Sequence, residues 1–147
     1  MKLEEEIGQE KFKSDHHKAL VNVVFTANQL DQYSQRYLRK YDISPQQFNI
    51  LKILREVKPN VATVTMLQSR MLDRMSNASR LVDKLKEKGL LIRNLNKDDR
   101  RKVDVKITAK GLKLIDKIEK SDFEDEYIKL SDAEAKKLND LLDKLRA

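Results

Sequence analysis

The chain has 147 residues, 39% of them hydrophobic, with three Gly, two Pro, no Cys and a formal net charge of +7. That length buries one core and is short for two, few Gly and Pro argue for a mainly helical fold, and the lack of Cys excludes disulfides, zinc–thiolate centres and thiol switches, as suits a cytoplasmic protein. No apolar run approaches the roughly 18 residues that a membrane span requires, and the acidic start "MKLEEEIGQEKF" is unlike a secretory signal.

From Ser14 to about Tyr41, Leu20, Val23, Val24, Ala27, Leu30, Tyr33, Tyr37 and Leu38 recur at helical spacing, which predicts one long helix. "DISPQQF" stops and restarts the chain: Ser44 is an N-cap, Pro45 the first helical residue, and Gln47 completes a capping box. This second helix is expected to run to about Val57 and to bury Phe48, Leu51 and Leu54. A short helix without a clean cap follows, Val64 to Arg70, with Met66, Leu67 and Met71 facing inward. Asp73 is then expected to cap a helix whose apolar stripe is Ala78, Leu81, Val82 and Leu85, closed by Gly89.

"LLIRNL" and the alternating Val103, Val105 and Ile107 predict two strands joined by a loop that is charged at every position from Lys97 to Lys102. Thr108 caps a helix bearing Leu112, Ile115 and Ile118, and Ser131, with Glu134 in a capping box, starts a last one carrying Ala135, Leu138, Leu141, Leu142 and Leu145. The expected fold is mainly α with a small antiparallel β-hairpin, a winged helix-turn-helix in one domain spanning residues 1–147.

Residues 70–113 hold 14 Lys and Arg against 6 acids, so the rest of the chain is close to neutral. Ordered basic sequence concentrates positive potential where a polyanion can sit. On the helix after Asp73, the face opposite the apolar stripe presents Ser76, Asn77, Ser79, Arg80 and Lys84. Base reading uses the N-terminal part of such a helix, where Arg matches guanine and Asn matches adenine. In the loop, Arg100 and Arg101 are long enough for a minor groove, and Lys97 and Lys102 suit phosphates. Asp99 is expected to hold one of the two arginines, and Asp83 and Glu87 to face the protein or pair with Lys or Arg. The same charges also suit a solvated helix face and a hairpin tip protected against edge pairing.

"SNASRLVDKLKEKGLL" followed by "DDRRKVDVKITAKG" resembles the recognition helix and wing of the MarR family of bacterial transcription regulators, whose wing carries Asp-x-Arg ahead of a Val-x-x-x-Thr strand. The matching positions are Asp99 and Arg101, Val103 or Val105, Thr108 and Gly111. The resemblance implies a homodimer that binds a pseudo-palindromic DNA operator, usually as a repressor, and releases it to a small anionic or phenolic ligand. It further implies that 44–108 form the DNA-binding region and 14–41 and 109–147 the dimerisation helices. The leucine stripe of the last helix suits this, and equally a helix that closes its own core. A winged-helix adaptor for protein or RNA is the alternative.

Enzymatic activity has little support. His16 and His17 are adjacent and point to different sides of a helix, and no Gly-rich phosphate loop is present. No metal, cofactor or membrane association is expected, and the ligand-binding residues stay unassigned. Tyr33, Tyr37, Tyr41, Phe25 and Phe48 fit core packing or a ligand pocket, and core packing is the commoner fate of aromatics at helical spacing.

Overall fold

The structure is a computed structural model that describes residues 1–121 and 127–147. Its elements run α1 (Leu3–Ile7), α2 (Asp15–Arg39), α3 (Pro45–Val57), β1 (Ala62–Thr63), α4 (Val64–Arg70), α5 (Ala78–Glu87), β2 (Leu91–Leu95), β3 (Val103–Ile107), α6 (Ala109–Glu119) and α7 (Asp132–Arg146). Of the segment 109–147 expected to dimerise, residues 122–126 lie outside the described residues.

Most helix starts follow from local chemistry. The Ser14 hydroxyl accepts the His17 N–H at 3.2 Å. Ser44 and Gln47 exchange the two bonds of a capping box at 3.1 and 2.9 Å, with Pro45 in the first turn. Thr108 accepts the Gly111 N–H at 3.1 Å, and Ser131 forms a second capping box with Glu134. Each satisfies an amide that a helix start leaves orphaned. One expectation needs correction here, and one helix was not anticipated. The short helix α4 does have a cap, Thr63, which accepts the Met66 N–H at 3.1 Å. The chain also opens with α1, which places Leu3 among the buried residues.

The expected hairpin is part of a three-stranded antiparallel sheet in the order β1-β3-β2. β2 and β3 pair from Leu91↔Ile107 to Leu95↔Val103, and β1 adds Ala62↔Val105 and Thr63↔Asp104. A two-residue strand has no readable alternation, so β1 emerges only through its partner.

The core lies among α3, α4, α5, α6 and the inner sheet face, with Ile50, Leu51, Leu54, Leu67, Val82, Leu85, Val105 and Ile115 removed from solvent. Phe48, expected to be buried, is half-buried against this cluster. Gly89 ends α5 with φ +70°, a conformation that costs glycine little. Gly111 lets α6 approach the base of the wing, since a Cβ there would collide with the Leu90 carbonyl oxygen and the Ile107 side chain. Arg55 of α3 grips Glu119 of α6 through two bonds of 2.5 and 2.7 Å, and the guanidinium holds the Glu119 carboxyl below its ordinary pKa. The two end helices differ from this interior. α2 buries only Leu38 and α7 buries nothing, leaving Leu20, Val24, Leu138, Leu141 and Leu145 exposed.

Candidate nucleic-acid interface

Helix α5 starts later than the spacing predicts. Asp73 does not cap it. Its carboxylate closes the preceding turn, accepting the Met75 N–H and the Ser76 hydroxyl, each at 2.9 Å, and these donors hold its carboxyl below the usual range. The cap is Asn77, whose Oδ1 accepts the Arg80 N–H at 3.1 Å. Gln68 of α4 decides between the two candidates by bonding the turn on both sides. Its Nε2 donates to the Ser76 carbonyl at 2.7 Å, and its Oε1 accepts the Ala78 N–H at 3.0 Å. Ser76 and Asn77 therefore precede α5, and Ser79 and Arg80 lie in its exposed first turn.

Ala78, Val82 and Leu85 anchor α5 in the core, so its other face is held toward solvent. Neither the Arg80 guanidinium nor the Lys84 ammonium has a partner among the described residues. Asp83 pairs with Arg93 of β2, which neutralises an acid that would otherwise repel phosphate. Glu87 is exposed at the far end of the helix. Arg74 lies in the turn and donates to the Ser69 carbonyl. A cleft of about 540 Å³ opens between α4 and α5, lined by Val64, Thr65, Gln68, Ser69, Arg74, Asn77 and Ser79.

The wing tip is a built turn. The Asn96 side chain accepts the N–H groups of Asp98 and Asp99 at 2.9 Å and donates to the Asp104 carboxylate at 3.0 and 3.1 Å. Asn96 N–H donates to the Lys102 carbonyl at 3.0 Å, closing the loop. Asp99 then selects its arginine. Its Oδ1 accepts the backbone N–H of Arg101 at 3.1 Å and the Arg101 Nε at 3.2 Å, and these bonds hold the carboxyl below its ordinary value. The Arg101 side chain is 91% exposed, so Asp99 orients it while leaving most of it in solvent. Lys97, Arg100 and Lys102 are exposed around it.

The fold thus assembles the anticipated residues into two groups, one on α5 and the turn before it, with Lys84 in the helix's last turn, and one on the wing. Sequence reasoning missed Gln68 and Asn96, which shape both groups without being charged. The run Asn96-Lys97-Asp98-Asp99 did carry a signal for the second, because Asn side chains commonly bond backbone amides two or three residues on. Tyr37, Tyr41 and Phe48 lie against the core, Tyr37 bonds Ser121 through its hydroxyl, and Lys40 sits 3.8 Å from the Tyr37 ring. Among the described residues no helix is long and apolar enough to cross a membrane.

The family model described as the MarR family matches residues 43–103, from the end of the α2–α3 connection to the first residue of β3. The HTH-type transcriptional regulator YkoM of Bacillus subtilis is 29% identical over 89 residues, which are 60% of this chain and 56% of that protein, so the match spans little more than half of the curated relative. A mutant MarR of E. coli, solved in complex with operator DNA, is 26% identical with a TM-score of 0.74, and the match covers 99% of each chain. An organohalide-sensing transcriptional regulator in its 2,4-dichlorophenol-bound form is 21% identical, covers 94% of this chain and 85% of its own, and shares the fold with a TM-score of 0.77.

Proposed function

We propose that this chain, a MarR-family protein through its residues 43–103, is a transcriptional regulator that binds a pseudo-palindromic duplex operator as a homodimer. In this reading it represses from that site in the cytoplasm, and a small anionic or phenolic effector releases it. Ser76, Asn77, Ser79 and Arg80 read bases in the major groove. Lys84, Lys97, Arg100 and Lys102 hold phosphates, and Arg101, aimed by Asp99, reaches the minor groove or backbone. Residues 44–108 form the DNA-binding region. Residues 14–41 and 109–147 join the two copies.

The observation that supports this most is the sorting of charge. Arg80, Lys84, Lys97 and Arg100 have no acidic partner among the described residues, while Asp83 is neutralised by Arg93, and Asp99 is engaged with Arg101 and lies in the field of Lys102. Exposed cation left without an internal counter-charge is what counterion release from duplex DNA rewards. The two arginines separate base reading from backbone binding. Arg80→Ala should cost about 1–3 kcal/mol on the preferred duplex and relax selection at one base step per half-site. Arg101→Ala should weaken preferred and random duplexes by similar factors and flatten the salt dependence. Fluorescence anisotropy with both duplexes across a salt series measures each effect, after circular dichroism confirms normal folding. If Arg101→Ala leaves both affinities unchanged, the wing has no part in binding.

A further inference from the structure

We infer that Met75 contacts the 5-methyl group of a thymine in the major groove, so that the turn ahead of α5 takes part in sequence choice. The inference rests on the DNA-binding reading above. Apart from Met1 at the terminus, Met75 and Leu72 are the most exposed large apolar side chains among the described residues, at 93% and 87%. Neither sits on loose chain. The Met75 N–H is held by Asp73 at 2.9 Å, the carbonyl of the next residue by Gln68 at 2.7 Å, and the Leu72 N–H by Asn49 at 3.0 Å. A tied turn therefore presents the thioether outward, immediately before the start of the recognition helix and five residues ahead of the unpaired Arg80.

The surroundings narrow what such a side chain can meet. Two isolated apolar residues are far less than the contiguous patch that a stable protein partner needs. A polyanion drawn by Arg80 and Lys84 offers one apolar group in its major groove, the thymine methyl. Methionine suits that target, because an unbranched, polarisable chain adapts its shape to a small convex group.

Deoxyuridine substitution tests this, since it removes the methyl and leaves every hydrogen-bonding edge of the base pair in place. The full chain first selects its preferred duplex from a random-sequence pool, and each half-site thymine is then replaced singly. One replacement per half-site should weaken the wild-type protein about fourfold, the factor for one buried methyl or methylene group. Met75→Ala should bind the thymine and deoxyuridine duplexes equally, while Leu72→Ala keeps the discrimination. A wild-type protein indifferent to deoxyuridine at every position would overturn the inference, as would Met75→Ala retaining the full discrimination. Failure to select any preferred duplex overturns the DNA-binding reading itself.

Discussion

Helices α5 and α7 carry apolar stripes of similar spacing and meet opposite fates. Ala78, Val82 and Leu85 of α5 are fully buried, whereas Leu138, Leu141 and Leu145 of α7 stand 45%, 56% and 50% exposed. Both helices are well capped, by Asn77 and by the Ser131–Glu134 box, so local chemistry does not explain the contrast. Periodicity announces that a face wants cover, and only the surrounding structure says where the cover comes from. For α5 it comes from α3, α4 and β2 of the same chain. For α7, and for the exposed Leu20 and Val24 of α2, the homodimer reading supplies it from a second copy.

The largest expected effect attacks the buried side of the comparison. Leu85→Ala should destabilise the fold by about 2–5 kcal/mol, because it leaves a cavity among packed side chains. Urea unfolding at fixed protein concentration measures it. A loss below about 1 kcal/mol would mean that α5 is less firmly seated than its burial implies.

The exposed side is tested by placing charge on it. Leu138→Asp combined with Leu141→Asp should leave the chain folded yet monomeric in sedimentation equilibrium, since neither residue is buried within the chain. Operator affinity should then fall on the order of a hundredfold or more, as two linked half-site contacts become independent. A variant that stays dimeric with full affinity would place the partner surface elsewhere.

The smallest effect sharpens the contrast at the start of α5. Asn77→Ala should cost roughly 1 kcal/mol of stability through loss of the cap, and Asn77→Ser should restore most of it. If both variants lose operator affinity by the same factor, Asn77 also contacts the duplex. If Asn77→Ser binds normally, its role ends at the cap.

Much of this architecture was legible locally. The bounds of α3, the caps Ser44, Thr108 and Ser131, the stop at Gly89 and the pairing of β2 with β3 all depend on groups within a few residues of one another, or on a simple alternation. The charged loop was likewise visible as a cluster of candidate DNA contacts. Other features depended on which distant groups meet. Asp73 and Asn77 are both competent caps, and Gln68, contributed by a different helix, selects the second. Two residues become the strand β1 only because Val105 and Asp104 lie beside them. Arg100 and Arg101 are chemically equivalent, and here the choice is local: the turn built on Asn96 lets Asp99 engage Arg101 within the loop itself. The sequence by itself determined every helix but α1, the wing and their charge, because a cap or a period is satisfied within one or two turns of chain. Tertiary structure alone decided where α5 begins, which two residues become β1 and which apolar stripes stay uncovered, because each needs a partner whose position is set only when distant segments pack.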